Sequence, residues 1–128
     1  DPIPSRGLGD VYKRQSWNGH LAVVEFLLAH GAYLEADNGA ALGYASRNGH
    51  LDVVEYLLDR GANIEGWNGA PLRWATNFNQ LDVVRVLIAR GADVNAQSSG
   101  GGTALWYAIR NGNAEIEQAL RDAGATEE

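Results

Sequence analysis

The side chains that could do chemistry in this chain are three histidines, sixteen carboxylates and ten basic residues. None is set at a spacing that makes a reaction centre. With no cysteine, thiolate nucleophiles, disulfides and cysteine–zinc sites are excluded. No glycine-rich loop leads into Lys-Ser or Lys-Thr, and no HExxH pattern is present. His20 and His50 stand in Gly-His turns between helices, where a role in loop hydrogen bonds is expected rather than catalysis. His30 falls at a helix end, where positive charge suits the dipole. Glu25, Asp52, Glu55 and Asp82 fall on solvated helix faces, whereas paired-carboxylate catalysis needs a cleft. Gly100 to Gly102 follows no strand, so it is a flexible loop rather than a nucleotide site. No catalytic residue, cofactor site or metal site is expected, and the chain is not expected to be an enzyme.

The formal net charge is −6. An acidic chain without a basic stripe is a poor match for nucleic acid or for an anionic membrane surface. No apolar run approaches the roughly 18 residues a membrane span needs. No secretory signal is visible. The chain is expected in a cytoplasm, its own or that of a host into which it is delivered, and as a monomer.

The elements that position these residues come in repeats. GHLAVVEFLLAHGAYLE (19–35) and GHLDVVEYLLDRGANIE (49–65) match at 11 of 17 positions, 30 residues apart. NQLDVVRVLIARGADVN (79–95) keeps that spacing, and GNAEIEQALRDAGA (112–125) follows after 33. A period of this size means a solenoid of stacked supersecondary units. Leu51, Val54, Leu57 and Leu58 make one apolar helix face, and Gly61 sits where the helix end needs a left-handed residue. A preceding helix is predicted at about 41–48, 70–78 and 103–111. Its small residues Ala45, Ala75 and Ala108 allow a neighbour to approach closely. The expected fold is all-α: three complete helix pairs preceded by the second helix of another.

At these residues the chain resembles the ankyrin repeats. NGHLDVVEYLLDRGANIE is similar to the second helix and exit loop of that family, and GGTALWYA (101–108) to its GxTPLHxA opening. The resemblance covers 16–128 and implies an ankyrin-repeat solenoid of stacked helix-turn-helix units. The short 30-residue period implies truncated β-hairpin loops, as in compact arrays of some large viruses and bacteria. Its divisions are a partial first repeat 16–37, repeats 38–67 and 68–97, and a C-terminal capping repeat 98–128. The family's Thr-Pro-Leu-His tetrapeptide is degraded to AALG (40–43), APLR (70–73) and TALW (103–106), with its hydrogen-bonding threonine kept only at Thr103.

The resemblance also implies where recognition would occur. Loop tips and the ends of first helices line a concave surface in this family. Here they bring Asn38, Arg47, Asn48, Trp67, Asn68, Asn77, Phe78, Arg110 and Asn111 forward as partner-binding residues, with Trp17, Asn18, Ser98 and Ser99 beside them. Aromatic and arginine side chains among amides are what binding hot spots are made of. Tyr44, Trp74 and Tyr107 are expected to pack between repeats, whereas Arg47, Trp67, Phe78 and Arg110 are expected to be exposed. The expected function is a protein–protein interaction scaffold for a protein or peptide. The alternatives are the C-terminal regulatory or targeting array of a larger enzyme, and a purely structural spacer.

The two ends differ. Ser5 to Gln15, SRGLGDVYKRQ, resembles the translation of a sequencing adapter, so 1–15 is expected to be non-native and the chain a metagenomic fragment. The helix at 20–28 then lacks a proper partner, and a frayed first unit is expected. At the other end Glu117 and Arg121 replace apolar residues, lie four apart and can pair. Such a polar outer face suits a terminal cap and puts Glu128 close to the end of the array.

Overall fold

The computed structural model describes residues 5–127, apart from the side chains of 5, 6, 37 and 38. Its eight helices form four pairs: α1 (Ser5–Asn18) with α2 (Leu21–Ala29), α3 (Ala36–Arg47) with α4 (Leu51–Asp59), α5 (Gly66–Asn77) with α6 (Leu81–Ala89), and α7 (Ala104–Asn111) with α8 (Ala114–Asp122). The first helices pack on one another in order, α1 on α3 on α5 on α7, and make an inner layer. The second helices do the same and make an outer layer. No strand occurs among the described residues.

Sequence periodicity explains both layers. In the outer helices Val24, Val54 and Val84 are fully buried at one repeat position, and Leu27, Leu57 and Leu87 at another. Each leucine position carries an apolar side chain of the kind whose full burial is worth about 1.5–3 kcal/mol. In the inner layer Ala45, Ala75 and Ala108 are fully buried, as close helix approach requires. Gly43 serves the same end differently: a Cβ there would lie 2.8 Å from the Trp74 ring. The tetrapeptide position left empty at 43 is thus filled by an indole from the next repeat.

Each outer helix ends the same way. Gly61 takes φ +91°, its N–H bonds the Leu58 carbonyl, and the Ala62 N–H bonds the Leu57 carbonyl at 3.0 Å. This Schellman arrangement recurs after α2, α6 and α8 and satisfies the last carbonyls where the chain must turn. Thr103 caps α7 by accepting from the Trp106 N–H at 3.1 Å, as its retention implies, and Asn113 caps α8 by accepting from the Ile116 N–H.

One expectation changes, at the N-terminal unit. Ser5–Asn18 forms a full partner helix for α2, with Tyr12 fully buried and its hydroxyl donating to the Leu34 carbonyl at 3.0 Å. A tyrosine reaches where a leucine would stop, so it fills the position and finds an acceptor. The array has four helix pairs in place of three and a half. The first turn of α5 is not helical: Trp67, Asn68 and Gly69 all have left-handed backbone, with φ 53°, 56° and 80°. Regular helix starts at Ala70, the predicted boundary, with Pro71 in the first turn where its missing N–H costs nothing.

Candidate recognition surface

The inner helices end in a row of equivalent positions: Trp17, Arg47, Asn77 and Arg110, followed in each repeat by Asn18, Asn48, Phe78 and Asn111. Part of this row stitches the repeats. The Asn48 amide donates to the Trp17 carbonyl at 2.9 Å, and the Asn111 amide to the Asn77 carbonyl at 3.0 Å and its side-chain oxygen at 3.1 Å. His50 Nε2 reaches the same Trp17 carbonyl at 2.8 Å, and the His20 ring meets Gln15. Both histidines therefore serve turn backbone or neighbouring side chains, as their Gly-His setting predicts. His30 instead stacks on Phe26 at 4.0 Å.

Phe78, in this row, is 43% exposed, and Trp106, in the first turn of α7, is 50% exposed. Arg47, expected to be exposed, is half-buried instead, its guanidinium over two rings, 4.8 Å from the Trp17 centroid and 4.3 Å from that of Phe78. Exposed Arg110 lies over Trp106 at 5.1 Å. Cation–π contacts at such sites are worth about 0.5–1 kcal/mol each, enough to hold a side chain in place.

A second region lies among the loops. Tyr33, Glu35, Glu65, Trp67, Arg73, Trp74 and Ser99 are among the residues lining a recess of about 990 Å³. Its two glutamates are already engaged: Glu35 accepts from the Asn63 N–H and Glu65 from the Asp93 N–H, each at 2.7 Å. Trp67, expected to stand free for a partner, is half-buried instead. It packs edge-on against Trp74 at 5.1 Å and against Tyr44 at 6.0 Å. Tyr44 and Trp74 stack parallel between repeats, as expected. Asn68 is exposed at the lip. The side chain of Asn38 lies outside the described residues.

Arg73 is the residue that sequence reasoning missed here. It is only 5% exposed, and its guanidinium donates to the Trp67 carbonyl at 3.1 Å and to the Asn68 carbonyl. Burial lowers its affinity for the proton, partly offset by Tyr107 and by the Glu65 carboxylate. It therefore fastens the left-handed turn that forms the recess wall. Among the described residues no group of His, Cys, Asp and Glu could hold a metal. No helix among them is long and apolar enough to cross a membrane.

Two family models match the chain. One described as ankyrin repeats in three copies matches residues 15–68, and one described as ankyrin repeats in many copies matches 72–121. The chain belongs to the ankyrin-repeat family. A comparison with curated proteins finds no match. Ankyrin repeats generally mediate protein–protein interactions and are typically non-catalytic. Within that family pattern, Gly43, Arg73 and Trp106 hold the histidine position of the degraded tetrapeptides. The first makes room for an indole, the second ties a turn and the third stands exposed. Three substitutions at one repeat position thus shape the array's recess and its open surface.

Proposed function

We propose that this ankyrin array is a binding scaffold that recognises a protein or peptide partner across its inner-helix face, making and breaking no covalent bond. The observation that carries the reading is a set of inner-helix side chains left outside the core. Phe78, Trp106 and Arg110 are exposed and Arg47 is half-buried, all large hot-spot side chains in ring–cation contact. Ordered side chains lose less entropy on binding than free ones do. The amides of Asn48 and Asn111 keep the repeats in register beneath them.

The full chain, immobilised and screened against a random-peptide display library, is expected to yield peptides that bind the wild type. Phe78→Ala should weaken them about tenfold or more while leaving the melting temperature nearly unchanged, because the ring is 43% exposed in the free chain and not part of its core. A library that yields no peptide, or peptides indifferent to Phe78, overturns the reading.

A further inference from the structure

Charge is sorted between the two layers of this molecule. The outer helices α2, α4, α6 and α8 carry eight carboxylates (Glu25, Asp52, Glu55, Asp59, Asp82, Glu115, Glu117 and Asp122) against two arginines. Inner helices α3, α5 and α7 carry three arginines against Asp37 alone. The acidic net charge therefore hides a cationic face. Arg73 is spent on backbone carbonyls. Arg47 and Arg110 are not: among the described residues neither makes an ion pair, and neither guanidinium donates a hydrogen bond.

Arg47 is held in a particular way. Trp17 comes from the repeat before it and Phe78 from the repeat after, so the planar group is met from both sides along the stack. Rings over its faces leave the rim of N–H donors, and that rim matches a carboxylate in bidentate geometry. A side chain already ordered loses little more on binding. Arg110, two repeats on and backed by Trp106, repeats the arrangement with one ring. Neighbouring helices pack about 8–10 Å apart, so two repeat steps span roughly 16–20 Å. An extended chain covers that in about five or six residues.

We propose that Arg47 anchors an extended acidic segment of a partner protein. One Asp or Glu carboxylate sits on the Arg47 rim, and a second, about five or six residues along, sits on Arg110. The proposal rests on the inner-helix face being the recognition surface and adds the chemical class of its partner. The outer-layer carboxylates do not prevent the approach. They lie about one helix diameter behind the face, a distance comparable to the roughly 10 Å Debye length at 0.1 M salt.

The same random-peptide library tests this, with binding of recovered peptides to the full chain followed by fluorescence anisotropy. Recovered peptides should carry acidic residues at that spacing, and Glu→Gln or Asp→Asn at one of them should weaken binding about tenfold. Arg47→Gln should do the same with the fold intact, and Arg47→Lys should not restore it, because an ammonium lacks the planar fork. Should Arg47→Gln lower the melting temperature, charge reversal decides: Arg47→Glu must prefer the peptide whose anchoring acid is replaced by lysine. Peptides without acidic preference, yet lost with Phe78→Ala, overturn this inference and leave the scaffold reading standing. No peptide of any kind overturns both. Tighter binding of a single-stranded oligonucleotide than of any acidic peptide also overturns it, because phosphate would then be the anion recognised.

Discussion

At the scale of single residues, Arg73 is where structure and stability meet most directly. It is buried beside a turn of three left-handed residues, two of which, Trp67 and Asn68, are not glycine. Such backbone is uncommon for side-chain-bearing residues and persists only where something holds it. The guanidinium holds it, by bonding both their carbonyls. Arg73→Ala is therefore expected to cost roughly 3 kcal/mol in denaturant unfolding, since hydrogen bonds to charged groups contribute about 1.5–3 kcal/mol each. Arg73→Lys should recover less than half of that, because one ammonium cannot bridge two carbonyls as a fork does. Amide exchange at 66–70 should rise in both variants, and unchanged exchange there would remove the turn-holding role. None of this was legible in APLR (70–73), because the acceptors are carbonyls of a turn that Arg73 itself helps form. Phe78, by contrast, was legible as a surface residue from its place at the end of a repeated helix, whereas Arg47, expected there too, is half-buried between two rings. What spacing did not show was that they touch.

At the scale of elements, the outer helices and their exits were plain in the sequence. A pattern such as LDVVEYLLDRGA states its own apolar face and its own left-handed stop, and Gly31, Gly61, Gly91 and Gly124 all adopt positive φ. The inner helices were legible through their buried alanines. Helix α1 was not, because SRGLGDVYKRQ has no repeat pattern, and the family match begins only at residue 15. Geometry supplies what pattern lacks. Leu8 and Val11 are partly buried against the core beside fully buried Tyr12, and they cover the inward side of α2. Deleting residues 1–15 should then expose Val24 and Leu27 and lower unfolding free energy by about 3 kcal/mol or more, the loss of one buried aromatic and its neighbours. Fast exchange of α2 amides should accompany it. If the deletion leaves stability and α2 exchange unchanged, the first unit is loose and α1 contributes nothing. Tyr12 also sets a pH limit. Burial pushes its hydroxyl well above the ordinary tyrosine range, aided by Glu35 and Tyr56. Its stabilising share is full below about pH 10, where the unfolded tyrosine ionises, and is lost as pH rises further.

At the scale of the whole molecule, the array has two unlike ends. The outer helices show this through two adjacent repeat positions. The first, held by Val23, Val53, Val83 and Ile116, faces the preceding repeat: the last three are buried, but Val23, with no repeat before it, is 40% exposed. The second, held by Val24, Val54, Val84 and Glu117, faces the following repeat, and there only the last member is charged. Glu117 is paired with Arg121 at 3.0 Å, as their spacing of four predicted, and Arg121 also meets Glu127 at 3.7 Å. The outer layer is thus apolar at one end, with Phe26 59% exposed on the same helix as Val23, and charged at the other, where α7 beside it leaves Trp106 and Ile109 exposed. Joining two copies end to end through these outer-helix faces would make an apolar face desolvate an ion pair, which is costly. Glu117→Val with Arg121→Leu removes the obstacle and recreates the face that Val54 and Leu58 present inside the stack. The apolar first face of one copy would then complement the new last face of another. Such a contact is heterologous and does not close, so it should build chains of increasing size rather than dimers. Sedimentation velocity is expected to show the parent as one species and the double variant as a concentration-dependent series, with helical content retained. Adding Val23→Lys and Phe26→Glu to the double variant should return it to a single species, because the acceptor face is then gone. A double variant that stays monodisperse, or a series that survives the added charges, would mean that Glu117 and Arg121 do not act as the cap.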